Sequence, residues 1–194
     1  MAQATAASYP LTYDVEYPQE LSRWLIFVKW LLAVPHLIIL YALNLAAGVV
    51  TFIAWFAILF TKRYPPDLFK FVVNVNRWSA NVFAYAFLLR DDYPPFSWEP
   101  GQYPLMYDVE YPEELSRWLI FVKWLLAIPH IIILYFLYLA AFIALTIAWF
   151  AILFTKRFPE SLFKFLVGVT RWQYRVTAYA NLLRDEYPPF SMEP

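Results

Sequence analysis

Hydrophobic and polar positions divide the chain into a short alternating segment, a long apolar block and an amphipathic stretch, and this order occurs twice. The apolar positions of the first alternating segment are Leu11, Tyr13, Val15 and Tyr17. Such a period of two predicts a half-buried strand over 11–17, with a counterpart over 105–111. Neither strand has a partner in its own unit, so each must pair with the other copy, a neighbouring protomer or another protein.

The apolar block runs from Trp24 to Phe60, and a single helix of this length would measure about 55 Å. The hydrocarbon core of a bilayer is only about 30 Å thick. Two arrangements remain: a hairpin of two short spans that turns near 43–48, or an interfacial helix that turns at Pro35 into a single span. We favour the hairpin because it places the basic residues at both ends of the block on one side of the membrane.

An amphipathic helix is predicted next, from about Asp67 to Leu89, because polar residues recur there at helical spacing. Its polar stripe consists of Lys70, Asn74, Arg77 and Asn81, and the corresponding residues of the second copy are Lys164, Gly168, Arg171 and Arg175. A helix of this kind is expected to lie in the headgroup region, with its basic residues toward lipid phosphate.

The whole pattern is a tandem duplication. Shifting the chain by 94 positions aligns residues 9–100 with 103–194 without a gap, and about three-quarters of the aligned residues are identical. Residues 1–8 form an N-terminal tail. Because identical charge patterns should insert the same way up, we expect two parallel repeats with an even number of crossings, which disfavours an inverted-repeat transporter.

Composition places the chain in a membrane. It is 62% hydrophobic and 15% charged, and neither 30–61 nor 124–155 contains a charged residue. The fold class that follows is an all-α integral membrane protein with short β-strands, made of two parallel repeats, each an embedded helical hairpin with amphipathic interfacial helices. We expect it in the cell membrane, with its termini and basic helices in the cytoplasm. The net charge of 0 gives no basic surface for nucleic acid.

Two sets of residues are candidates for function. The first is expected to face lipid headgroups and comprises Arg23, Lys29, Lys62, Arg63, Lys70, Arg77, Arg117, Lys123, Lys156, Arg157, Lys164, Arg171 and Arg175. The second is the pair His36 and His130, which lie inside the apolar blocks and could ligate a haem or chlorin. The competing interpretation is that each imidazole bonds a carbonyl freed by the preceding proline, or lies at the interface.

The residues needed for catalysis are scarce. The chain has no Cys, two His and three Gly, and it lacks nucleophile-elbow, zinc-protease and phosphate-loop motifs. We therefore expect no catalytic residues, no metal site and no bound cofactor.

The segments "YPLTYDVEYPQELSRWLIFVKWLLAVPH" and "AWFAILFTKR", followed by "RW" and "YPPF", resemble an uncharacterised prokaryotic membrane family, domain of unknown function 4389. The resemblance covers each copy nearly end to end. It implies a tandem of that domain in a membrane and carries no known activity, cofactor or binding residue.

The function that these observations favour is structural. We expect a non-catalytic accessory subunit of a larger membrane assembly, or a self-assembling membrane scaffold, with lipids and other subunits or itself as partners. Two alternatives remain: a small oligomeric transporter or channel, and an accessory protein that binds a pigment or cofactor through His36 and His130.

Overall fold

The computed structural model describes residues 9–194 and has four helices and two short strands. The elements in chain order are β1 (Leu11–Val15), α1 (Leu25–Thr61), α2 (Pro66–Ala86), β2 (Leu105–Val109), α3 (Leu119–Thr155) and α4 (Glu160–Ala180). Each strand is two residues shorter than predicted. The tail over 1–8 lies outside the described residues.

The apolar block forms one continuous helix, so the predicted hairpin is wrong. Helix α1 has 37 residues, and α3 has the same length. The 43–48 segment has no proline and its one glycine is helical, so nothing interrupts the backbone hydrogen bonds there. Pro35 also lies inside α1 without ending it. The helix ends where Lys62 adopts a left-handed conformation with φ of 60° and donates its backbone N–H to the carbonyl of Ile58.

The two strands pair with each other in an antiparallel sheet, which decides among the three pairings left open by the sequence. Tyr13 lies opposite Tyr107 at the centre, and these two residues occupy the same position in their copies. The inner side chains of both strands are buried, whereas the outer ones, which include Thr12, Asp14 and Asp108, are exposed. The sheet therefore has one protein-facing side and one solvent-facing side.

The fold has three layers, with α2 and α4 between the sheet and the long helices. Strand β2 packs on α2 and β1 packs on α4, so each strand covers a helix of the other copy. On the opposite side of α2, Trp78 and Val82 pack against Ala33 and Leu40 of α1. Arg77 in the polar stripe of α2 thus lies under the sheet, whereas Lys70 of the same stripe is exposed and the apolar side of the helix faces α1.

An approximate two-fold rotation relates the copies, because the hydrogen bonds and ring contacts that join the long helices occur twice. Leu21 donates its N–H to the carbonyl of Lys156 at 2.8 Å, and the equivalent Leu115 donates to Lys62 at the same distance. The rings of Phe27 and Trp149 lie 5.1 Å apart, and those of Trp55 and Phe121 lie 5.0 Å apart. The beginning of each long helix therefore lies beside the end of the other, and α1 and α3 are antiparallel.

Candidate functional site

The long helices α1 and α3 share an extensive exposed surface, which we term the apolar face. Each helix buries a single stripe against the rest of the protein, and in its most apolar 18-residue stretch only 17% is buried. The remaining sides expose large hydrophobic residues, among them Trp24, Ile38, Tyr41, Phe52 and Phe60 in α1 and its first turn. Both helices are long and apolar enough to cross a membrane.

Basic residues lie at both ends of the apolar face. At one end the Arg23 guanidinium donates to the carbonyl of Phe154 at 3.0 Å, which places it beside Lys156 and Arg157. At the other end Arg117 donates to the carbonyl of Phe60 at 3.0 Å, beside Lys62 and Arg63. The exposed rings of Trp24 and Trp118 lie next to these arginines. Eight of the residues predicted to face headgroups are exposed: Arg23, Lys62, Arg63, Lys70, Arg117, Lys156, Arg157 and Lys164.

The other five predicted headgroup residues are buried inside the protein, so their predicted position is wrong. The first two are Lys29 and Lys123, each 1% exposed. The Lys29 ammonium lies 2.7 Å from the Asp91 carboxylate, donates to the carbonyl of Arg90 at 2.6 Å and lies over the Tyr85 ring. Lys123 makes the same contacts with Asp185, Arg184 and Tyr179. In each copy, an aspartate just after the second helix pairs with the lysine of the first helix. Because its charge is already paired, the lysine does not need to extend to lipid phosphate.

Arg77 and Arg171 are the next two, and both are buried beneath the strand of the other copy. Arg77 Nε donates to the carbonyl of Tyr107 at 2.9 Å, and its Nη2 lies 3.0 Å from Asp108 Oδ1. Arg171 makes the equivalent contacts with Tyr13 and Asp14 at 2.8 and 3.1 Å. The sheet therefore covers the arginines of a stripe that sequence periodicity assigned to lipid, while Lys70 and Lys164 of the same stripe stay exposed. Desolvation under the sheet also raises the pKa of the Tyr13 and Tyr107 hydroxyls.

Arg175 is the fifth buried residue, and it has no basic counterpart because the first copy has Asn81 there. It is 2% exposed, and its guanidinium has one long hydrogen bond of 3.4 Å to the carbonyl of Ser191. The ring of Tyr9 lies 5.7 Å away. Burial, and then the positive charge of Arg171, lower the pKa of this guanidinium. Its setting is unlike that of the other two arginines, which have carboxylate partners.

Each histidine lies in an aromatic cluster between the first and second helices of its copy. His36 is fully buried, and its Nδ1 accepts a hydrogen bond from Trp78 Nε1 at 3.1 Å. The Phe96 ring stacks on the imidazole at 3.9 Å, and the Tyr93 ring lies 5.0 Å away. The acceptor role of Nδ1 places the proton of the neutral ring on Nε2, which is buried and has no hydrogen-bond partner.

The second copy repeats the cluster around His130, whose partners are Trp172, Phe190 and Tyr187. Neither nitrogen of either ring is open to a ligand in this arrangement. The imidazoles also do not bond a carbonyl freed by the preceding proline, because the indole N–H is their partner.

Polar side chains within the long helices bond to their own backbone. Asn44 donates to the carbonyl of Leu40 at 2.8 Å, and Thr146 donates to that of Phe142 at 2.9 Å. A pore lining would need such groups directed into a water-filled path. Among the described residues, no group of three or more His, Asp or Glu side chains is placed to hold a metal ion.

Comparison with family models decides the family of the chain. The model described as domain of unknown function, DUF4389, matches residues 23–97 and again residues 117–192. The chain belongs to the DUF4389 family. Its two matched segments contain the buried lysine, the histidine cluster and the arginine that binds the strand, whereas both strands lie outside them. No curated protein and no solved structure matches this tandem DUF4389 chain.

Several residues of these clusters were missed by sequence reasoning. Asp91 follows Arg90, and their adjacency suggests a local ion pair. In the structure Arg90 pairs instead with Asp92 at 2.7 Å, which leaves Asp91 for Lys29. Trp78 is 42 positions from His36, so no local pattern connects them. The one available signal is that both pairs recur at the equivalent positions of the second DUF4389 copy. The pairs are Lys29 with Asp91 and His36 with Trp78.

The histidine cluster gives a testable prediction. Trp78→Phe keeps an aromatic ring but removes the N–H donor, which leaves His36 Nδ1 buried without a partner. We expect a loss of about 1–3 kcal/mol in the free energy of unfolding, measured by urea titration in mild detergent. Trp24→Phe is the control, because that exposed ring should change stability by no more than about 0.5 kcal/mol. An equal effect of both substitutions would contradict the role of the indole donor.

Proposed function

We propose that this DUF4389 protein is an integral membrane protein with a structural, non-catalytic role, either as an accessory subunit of a membrane assembly or as a scaffold. The observation that supports it is the apolar face, formed by two 37-residue helices whose hydrophobic side chains are mostly exposed. A helix that is apolar on all sides requires an apolar environment on all sides. The protein supplies that environment along one stripe only.

The size of this surface argues against a water-soluble monomer. Soluble monomers rarely expose contiguous apolar patches above a few hundred Å². Here the exposed hydrophobic residues continue from the first turn of each long helix to its last turn. Burial of that surface in lipid is favourable, whereas its exposure to water would cost about 25 cal/mol for each Å².

A structural role fits the side chains that the fold places at its centre. The buried charged groups Lys29 and Arg77 bind carboxylates and backbone carbonyls, and the histidines bind indole N–H groups. These side chains connect helices and strands to one another. Other subunits would contact the protein through its outer surfaces, by helix packing at the apolar face within the membrane or at the exposed side of the sheet.

Charged residues placed on the apolar face test the membrane attachment. Ile38 and Ile132 are equivalent, exposed positions in the middle of that face. In the double variant Ile38→Glu, Ile132→Glu, we expect the protein to shift from the membrane fraction to the soluble fraction. A charge in the hydrocarbon core costs about 2.5–3.5 kcal/mol by insertion scales. The measurement is the amount of protein that stays in the membrane pellet after a high-pH carbonate wash.

The matched control places the same two charges on the other side of the molecule. Thr12 and Met106 are equivalent, exposed positions on the outer face of the sheet. The double variant Thr12→Glu, Met106→Glu should remain in the carbonate-washed pellet like the wild type. Release of the wild-type protein by carbonate would contradict integral attachment altogether.

Gentle purification in mild detergent, followed by mass spectrometry, tests the role within the membrane. Defined foreign subunits in constant ratio would identify the protein as an accessory subunit. A homo-oligomer without foreign subunits would instead favour the scaffold. Flux of ions or solutes through reconstituted vesicles of the purified protein would contradict a purely structural role.

A further inference from the structure

The direction of the two-fold axis limits how the protein can sit in a bilayer. A rotation that exchanges two antiparallel strands and keeps their buried sides together must be perpendicular to the sheet. The axis therefore passes through the sheet at Tyr13 and Tyr107, continues between α2 and α4, and emerges between the antiparallel helices α1 and α3. The sheet and the apolar face lie at opposite ends of this axis.

One possible orientation places the axis in the plane of the membrane, so that α1 and α3 cross the bilayer in opposite directions. The outer face of the sheet would then lie at mid-depth against lipid, with Asp14, Asp108 and Glu110 exposed there. Hydrocarbon offers these exposed carboxylates no water, and the buried arginines reach only one oxygen each of Asp14 and Asp108 from beneath the sheet. The two copies would also be inserted upside down relative to each other although their charge patterns are the same.

The other orientation places the axis along the membrane normal, and the polar and apolar surfaces of the protein then face matching environments. The sheet lies in water, and the apolar face is directed toward the acyl chains of one leaflet. Both basic ends of the face, Arg23 with Lys156 and Arg117 with Lys62, reach the headgroups of that same leaflet, and Trp24 and Trp118 suit the interface beside them. The length of about 55 Å is then no obstacle, since the thickness of the bilayer does not limit a helix that lies along it.

We infer that the protein is embedded in a single leaflet, with α1 and α3 lying along the membrane and the two-fold axis along its normal. This inference rests on the proposed membrane attachment and adds to it the geometry of the lipid contact. Both copies then insert the same way up, as their identical charges require, and no helix crosses to the opposite leaflet. The partner of the apolar face is the acyl layer of one leaflet, bounded at each end by lipid phosphates.

Cysteine labelling tests the inference directly, because the chain has no natural cysteine. Three single variants each introduce one cysteine at a defined place: Gln19→Cys before α1, Arg63→Cys after α1 and Thr12→Cys on the outer face of the sheet. All three positions are exposed. A membrane-impermeant maleimide is applied to sealed right-side-out vesicles and to inverted vesicles that carry the full-length protein.

We expect all three cysteines to react from the same side, at least about tenfold faster than from the other side. Val49→Cys, in the middle of the apolar face, should react from neither side until detergent is added. Reaction of Gln19→Cys and Arg63→Cys from opposite sides would overturn the inference, because it shows that α1 crosses the bilayer. Equal reaction of each cysteine from both sides would also overturn it.

These results are separable from a failure of the proposed function. If the protein is absent from carbonate-washed membranes, or if Val49→Cys reacts freely in vesicles, the attachment itself is wrong. If two copies of the chain cover each other's apolar faces, the protein will be a soluble dimer. Opposite-side labelling in a carbonate-resistant protein contradicts only the single-leaflet geometry.

Discussion

Replacing Lys29 with methionine is expected to lower the free energy of unfolding by about 3–5 kcal/mol, because it leaves a largely buried carboxylate without its cation. The ammonium that is lost is 1% exposed and lies 2.7 Å from Asp91. Asp91 also accepts the backbone N–H of Ser22 at 2.5 Å, so its carboxylate connects the start of α1 to the segment after α2. Urea titration in mild detergent, followed by circular dichroism, measures the loss.

Lys62→Met is the matched control for that variant. The Lys62 ammonium lies 3.7 Å from Glu114, and both side chains are largely exposed. Such a pair contributes about 0–1 kcal/mol. The equivalent variant Lys123→Met should lose as much stability as Lys29→Met, since its contact with Asp185 is the same length. A loss below 1 kcal/mol in Lys29→Met would mean that the buried pair is not needed for stability.

The second large effect is expected at the contact between the copies. Arg77→Met should lower the free energy of unfolding by about 3 kcal/mol, because it removes several charge-assisted hydrogen bonds from a buried site. Those bonds run to Tyr107 and Asp108 of the other copy's strand, and to Asn74 and Trp98 of its own copy. Faster hydrogen exchange of the β2 amides should accompany the loss.

Two further variants make the Arg77 prediction specific. Lys70→Met alters the same stripe of α2 but at an exposed position, so stability should change by no more than about 0.5 kcal/mol. Arg77→Lys should not restore stability, because an ammonium cannot donate in the fork that reaches both the carbonyl of Tyr107 and the carboxylate of Asp108. Full stability in Arg77→Lys would show that charge alone is sufficient.

Local patterns in the sequence predicted the elements well. The alternation around Tyr13 identified β1, and the helical spacing of polar residues identified α2 to within one residue of its start. The duplication was evident from the offset between the copies. The strand and the helix start depend on residues that are near each other in the chain, and the duplication is visible in the sequence by itself; the structure confirms all three.

The errors came from contacts between distant residues and from an assumption about the bilayer. The length of about 55 Å argues against a single straight span, and the charges at both ends of the block then favour a hairpin; the length argument fails for a helix that does not cross the bilayer. The stripe with Arg77 has the same spacing whether lipid or another strand covers it. The pairing of Lys29 with Asp91 depends on how α2 returns along α1, which periodicity does not show.

The exchange of strands between the copies has a consequence for how such a chain could arise. Each copy keeps its arginine on its own helix and places its strand over the arginine of the other copy. A polypeptide with one copy alone would have both a guanidinium without its carboxylate partner and an unpaired strand. It would pair its strand and its arginine only in a homodimer with a second identical chain. In the present chain, Gly101 and Gln102 join the two halves of such a dimer into one polypeptide.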